Sequence, residues 1–146
     1  HTEIRHTMPY GESRQLHKAV LSGNAHGIFR GMIHVDPHAQ KTDSSLSSAS
    51  LLLSERARIE SKPQLEIFTD DVKCSHGSTV GRLDAEALFY LASRGIAPEQ
   101  ARLILTRAFT DDICQRLPRE DLRDFVKELI ETNLAALDES AMKAER

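Results

Sequence analysis

The sequence predicts a mixed fold, mainly β over residues 1–83 and α-helical over residues 84–146. Three observations predict it. In the first part apolar residues recur two apart, as Ile33 and Val35 or Leu65 and Ile67 do, the period that puts side chains on one face of a strand. The apolar stretches there are short and bounded by Gly, Pro, Asp and Ser. After Leu83 the spacing changes to the i, i+3, i+4, i+7 pattern of amphipathic helices.

Within the β part, residues 27–35 and 64–68 read as strands, and no strand reads as long. Residues 41–48, Lys-Thr-Asp-Ser-Ser-Leu-Ser-Ser, read as a polar Ser-rich turn or loop. No tight Asn-Gly hairpin signal occurs. Many short strands without hairpin turns suit either a small sandwich or the coils of a parallel β-solenoid. No clean fixed repeat is visible, so pattern alone does not choose between them.

The helical part is punctuated more sharply. Asp84 is placed as an N-cap, with Leu83 and Leu88 at the two positions of a hydrophobic staple. Gly95 is placed to end that helix in a left-handed conformation, and Pro98 to open the next in its first turn. In the second helix Ala101, Ile104, Leu105 and Ala108 are spaced for one face. Residues 111–114 then read as a short turn leading to Pro118, which opens a third helix. There Leu122, Phe125, Val126, Leu129, Ile130, Leu134 and Leu137 form the apolar face. The tail, residues 141–146, is expected to fray.

Composition bounds the function. The chain has 146 residues, 40% hydrophobic but only 5% aromatic, so aliphatic side chains must fill its core. A net charge of −3 without a basic run gives no support to nucleic-acid binding. No apolar stretch approaches the roughly 20 residues that span a bilayer. No secretory signal is visible behind His1, and the missing initiator Met suggests a piece of a longer protein. Cys74 and Cys114 form no disulfide framework, which fits a reducing compartment.

The densest polar cluster is residues 69–77, Thr-Asp-Asp-Val-Lys-Cys-Ser-His-Gly. In an extended chain Val72, Cys74 and His76 share a face, with Lys73 and Ser75 opposite. A thiol and an imidazole together suit iron–sulfur or zinc chemistry, because thiolate and neutral imidazole are preferred ligands there. They equally suit a Cys–His nucleophile pair, as in a sulfur-transfer enzyme with Cys74 attacking. Two ligands do not close a tetrahedral sphere, so the others must come from elsewhere. The plain alternative makes Cys74 a small buried hydrophobe and His76 a hydrogen-bonded turn residue. Asp70 and Asp71 point to opposite faces, and capping a turn suits at least one of them. His34 and His38 flank Pro37 and read, with His1, His6, His17 and His26, as scattered surface residues. Cys114, beside Ile113, reads as core. No phosphate-cradling Gly-Lys-Thr or Gly-x-Gly-x-x-Gly motif is present, so nucleotide binding has nothing behind it.

Three stretches together resemble the SufB/SufD family. They are residues 13–18 (Ser-Arg-Gln-Leu-His-Lys), 39–43 (Ala-Gln-Lys-Thr-Asp) and 62–77 (Lys-Pro-Gln-Leu-Glu-Ile-Phe-Thr-Asp-Asp-Val-Lys-Cys-Ser-His-Gly). The last continues through Gly81 and Asp84 to residues 93–96, Ser-Arg-Gly-Ile, and its Cys-Ser-His-Gly element is similar to the SufD branch. The resemblance covers about residues 13–110 and fades in the last helix.

The resemblance implies a right-handed parallel β-helix, here its C-terminal coils over residues 1–83, followed by a helical subdomain over 84–146. It implies a non-enzymatic scaffold for iron–sulfur cluster assembly, in the bacterial cytoplasm or plastid stroma. Pairing with SufB through the β-helix and docking of the SufC ATPase on the helices are further implications. The metal-site residues it points to are His76 and, beside it, Cys74, at a transient cluster shared with SufB. Ligands split between subunits would explain why neither chain's set is complete. Leu103, Phe109, Leu122 and Phe125 are candidates for the ATPase contact, each with a competing role as core. An open coil is also expected to drive self-association as a homodimer in isolation.

Overall fold

The computed structural model describes residues 1–144, with side chains through residue 137. The residues expected to fray lie outside the described side chains. Six strands come first: β1 (Thr2–His6), β2 (Glu12–Leu21), β3 (His26–Val35), β4 (Asp43–Leu52), β5 (Arg58–Ile67) and β6 (Lys73–Arg82). Three helices follow, α1 (Ala85–Ser93), α2 (Pro98–Gln115) and α3 (Glu120–Ala144).

The strands alternate between two sheets, β1-β3-β5 and β2-β4-β6, so each pairs with the strand two steps along the chain. β1 and β3 run parallel, with Thr2 opposite Gly31 and His6 opposite Val35. Elsewhere backbone bonds join start to start and end to end. Asp43 N–H donates to Gly11 C=O (2.9 Å) where β4 begins, and Leu53 N–H to Leu21 C=O (2.8 Å) where it ends. Arg58 and Ala25, Phe68 and Val35, and Lys73 and Thr42 are joined in the same sense. That is parallel pairing throughout.

Side-chain bonds repeat at nearly constant offset: 31 residues for Arg5–Asp36, Ser13–Ser44 and Ser54–Gly23, 32 for His34–Glu66 and 34 for His26–Glu60. The turns repeat too. Tyr10 and Lys41, both left-handed at φ 62°, donate their N–H groups to Gln40 and Asp71 carbonyls. The period escapes the sequence because what recurs is backbone geometry, not residue identity.

By contact density the chain forms two compact units. The first comprises His1–Ala19, His26–Ser50 and Ile59–Val80. Its core is Ile33, Val35, Ala39 and Leu46, with Phe29, Leu65, Val72 and Cys74 packed against it. Ile33 and Val35 share the inner face that their spacing predicts.

Two expectations change here. The Ser-rich stretch is no loop: from Asp43 it is β4, the central strand of its sheet, and Ser44, Ser48 and Ser50 are buried. Small hydroxyls fit where facing strands leave little room, and bonds such as Ser13 Oγ to Ser44 Oγ at 2.5 Å offset their desolvation. Strands are also longer than expected, ten residues each from β2 to β6. Pro63 sits inside β5, an outer strand of its sheet, where proline is tolerated.

The second unit comprises Val20–Ala25, Leu51–Arg58 and the chain from Gly81 onward. Arg102 donates to the Leu53 carbonyl (2.6 Å), and Arg82 to those of Ser54 (2.8 Å) and Glu55 (3.3 Å). These guanidiniums hold the turn after β4.

Helix punctuation follows the sequence. The Asp84 carboxylate accepts from Glu86 N–H at 2.9 Å. Gly95, at φ 81°, donates to Ala92 C=O while Ile96 donates to Leu91 C=O, the paired bonds of a Schellman ending. Pro98 begins α2.

Further on, sequence and structure part. Residues 111–114 are helical, not a turn, because α2 runs unbroken to Gln115 with no Gly or Pro to stop it. The buried positions of α2 are Ala101, Thr106, Thr110 and Cys114, while Ile104 and Ala108 face solvent. The threonines go inside because their hydroxyls bond back to helix carbonyls of Arg102 and Arg107. α3 starts at Glu120, past Pro118. Its apolar face is only half covered: Leu134 is buried, and Val126 and Ile130 partly so, while Leu122, Phe125 and Leu129 stand exposed.

Candidate functional site

β6 carries the motif singled out by the sequence. It is the outermost strand of β2-β4-β6. Alternation along it separates two faces, as expected. Lys73 and Ser75 are exposed on one side; Val72 and Cys74 pack on the other against the cluster of Ile33, Val35, Ala39 and Leu46. His76 follows Cys74 on that inner face by parity but is exposed, as is the whole strand from Ser75 through Arg82. Ser78, next on the face, donates to Ser61 Oγ of β5 (2.8 Å), and Ser61 donates to the buried Ser48 of β4 (3.3 Å).

Cys74 and His76 are therefore neighbours that differ in exposure, one half-buried against the core and the other open to solvent. Burial pushes the Cys74 thiol above its ordinary range, offset only in part by a hydrogen bond with the Ser44 backbone. That is the reverse of what a thiolate nucleophile needs. Alkylation of Cys74 by iodoacetamide at pH 7 is expected to run at least several-fold slower than that of a free model thiol; an equal or faster rate would contradict the assignment to the core. Cys114 is fully buried and its thiol is likewise raised by burial, in line with its reading as core.

Among the described residues no group of three or more His, Cys, Asp and Glu side chains is arranged to hold a metal ion. Cys74 and His76 remain neighbours along β6, and no further His, Cys, Asp or Glu joins them in such a group among the described residues.

The other candidates take structural roles. Asp71 contacts the Lys41 turn: its carboxylate takes the ammonium at 2.5 Å, and its carbonyl the backbone N–H at 2.6 Å. The Lys41 ammonium is raised by this pairing. His34 is half-buried rather than open to solvent. It lies between Asp36 (2.9 Å) and Glu66 (3.1 Å), with Arg5 on the far side of Asp36 holding that carboxyl below the usual range. Three strands thus contribute to one charge ladder, which sequence spacing could not show. His6 is buried, bonded to Ser13 Oγ at 3.0 Å. His17 is half-buried against the Phe29 ring, and desolvation lowers its pKa. Only His38 of the pair flanking Pro37 is exposed. Among the proposed ATPase contacts, Leu103 lines a small cavity of about 60 Å³ with Leu53, Leu134 and Leu137, so it faces inward. Phe109 is partly buried, and Leu122 and Phe125 are exposed. No described helix is long and apolar enough to cross a membrane.

The serines joined to β6 were missed in the sequence because isolated Ser residues read as loop. A partial signal existed: Ser78 keeps the parity of Cys74 and His76.

Comparison with known proteins places this geometry in a family. The SUF system FeS cluster assembly, SufBD core domain family matches residues 1–109. The iron-sulfur cluster assembly protein SufD of Escherichia coli is 44% identical over 125 residues, 86% of this chain and 30% of that protein. Protein ABCI7, chloroplastic, of Arabidopsis thaliana is 39% identical over 125 residues, 85% of this chain and 26% of that protein. The SufD of Bacillus subtilis is 35% identical over 130 residues, 89% of this chain and 30% of that protein. The chain thus spans under a third of the length of these relatives. On the extent of the match and on the relatives' identity, the chain belongs to the SufBD core domain family of the SUF iron–sulfur cluster assembly system.

Proposed function

We propose that this chain is the C-terminal part of a SufD-type scaffold, which carries a nascent iron–sulfur cluster as cargo and does no bond chemistry of its own. The observation that carries the reading is the Cys-Ser-His-Gly segment, set on an outermost strand with the imidazole exposed and the thiol tucked inward. Such a strand offers half a ligand set together with free backbone donors and acceptors for a neighbour. SufB is the proposed neighbour, pairing through the strands and completing the ligands around His76, with Cys74 supporting from behind. The alternating parallel sheets and an offset near 31 residues support a right-handed parallel β-helix. Relatives in bacteria and in a chloroplast support a bacterial cytoplasmic or plastid stromal setting.

The helices from Asp84 onward are proposed to dock the SufC ATPase. Leu122, Phe125 and Leu129, spaced three and four apart on α3, form an exposed apolar stripe suited to a helix-surface contact. Closure of two ATPase subunits would then strain the strands and reshape the surface around His76. The test is capture of purified SufC by the chain, by a truncation ending before Asp84, and by Phe125→Asp. The truncation should bind nothing, and Phe125→Asp should bind at least about tenfold more weakly, the scale of an interface hot spot. Undiminished capture by both would remove the ATPase from this surface.

A further inference from the structure

Ser78, Ser61 and Ser48 join three strands through one chain of hydroxyls, and nothing in the proposed cluster site accounts for them. Ser78 of β6 donates to Ser61 of β5, 17 residues away, and Ser61 donates to Ser48 of β4, 13 residues away. Serine is a weak choice for a strand interior, where β-branched and aromatic side chains pack better. That local rule is broken at the buried Ser48 and the half-buried Ser61, which marks a place where something other than stability is served.

The placement indicates what that is. On the inner face of β6, Cys74 is the last residue packed on the core, and from Ser75 through Arg82 the strand is exposed. His76 lies between two anchors on one face: Cys74 in the apolar cluster behind it and Ser78 in the hydroxyl chain ahead. Apolar packing sets volume, whereas a hydrogen bond sets both separation and direction. A chain ending on Ser48, itself buried, therefore ties the exposed part of β6 to the central strand of its sheet.

We propose that Ser61 and Ser78 are positioning residues for His76, holding β6 at the cross-strand distance from which its imidazole meets the cargo. This rests on the reading of His76 as a cluster-site residue. Neither serine touches the cargo. The pair acts by restricting the strand, so each hydroxyl contributes through the orientation of the ring two residues away.

The test uses the complete assembly complex carrying Ser61→Ala, Ser78→Ala, Ser61→Thr, Ser78→Thr and His76→Ala, with cluster formation followed by absorbance. Ring resonances of ¹⁵N-histidine-labelled protein report His76 directly. The alanine variants should slow cluster formation about two- to tenfold, the worth of one hydrogen bond, and should shift or broaden the His76 signals. The threonine variants, which keep the hydroxyl, should restore both readouts. Alanine variants at the wild-type rate with unmoved His76 signals, beside a His76→Ala variant that makes no cluster, would overturn the inference and leave the site intact. A rate that falls without recovery in threonine and without change at His76 would assign the serines to stability alone and overturn it equally. Full assembly by His76→Ala would instead remove the site, and the inference with it.

Discussion

His76→Ala in the complete assembly complex is expected to reduce cluster formation by more than about 100-fold. Even groups that only support a metal ligand cost roughly 10- to 100-fold when removed, and His76 is proposed as a ligand itself. Its exposure on the outermost strand makes the substitution harmless to the fold, with a stability change within about 0.5 kcal/mol. The two readouts therefore separate. Unchanged urea unfolding with lost assembly would establish a site role, while retained assembly would make His76 a plain surface residue. Cys74→Ser should behave in the opposite way. A polar group placed against Ile33, Val35 and Leu46 should lower stability more than it lowers assembly per folded molecule.

Ile33→Ala should cost about 2–5 kcal/mol of stability, and Ile33→Val about 0.5–1.5 kcal/mol. Ile33 is fully buried, and the cluster it anchors takes side chains from both sheets: Val35 and Phe29 from β3, Leu46 from β4 and Cys74 from β6. Urea denaturation followed by circular dichroism measures both variants, and the graded pair guards against a change in the unfolded state. A cost for Ile33→Ala below 1 kcal/mol would mean that the strands are held chiefly by their ladders. The consequence for function is direct, since Cys74 rests on this cluster. Loosening Ile33 should make β6 more mobile before it unfolds the chain, detectable as faster amide exchange from Lys73 through Arg82.

The two ends of α1 and the start of α2 were legible residue by residue. Asp84, Gly95 and Pro98 act within one turn of where they stand, through a side-chain acceptor, a left-handed φ and a pre-set φ, so local sequence suffices. What failed there was the buried face of α2, where Thr106 and Thr110 went inside. A threonine whose hydroxyl bonds its own helix is effectively apolar outward, which a hydrophobicity pattern does not register.

In the β part, residues 33 and 35 declared themselves by period, as did the faces of Lys73 through His76. Ser44 and Ser48 did not, because their hydroxyls enter the strand interior where another strand offers them room and a partner. His34 was misjudged for the same reason: Glu66 stands 32 residues away and Arg5 reaches it only through Asp36.

The sequence by itself determined the family, the change from strand to helix near Leu83 and the helix boundaries set by single residues. These depend on local chemistry or on a motif. The tertiary structure alone decided that Cys74 is half-buried against the core and His76 exposed, that three serines on β4, β5 and β6 are hydrogen-bonded in a chain, and that the strands stack at an offset near 31 residues. Parallel pairing joins residues that are distant in the chain, and the free energy of burying a small polar side chain depends on the group it meets there.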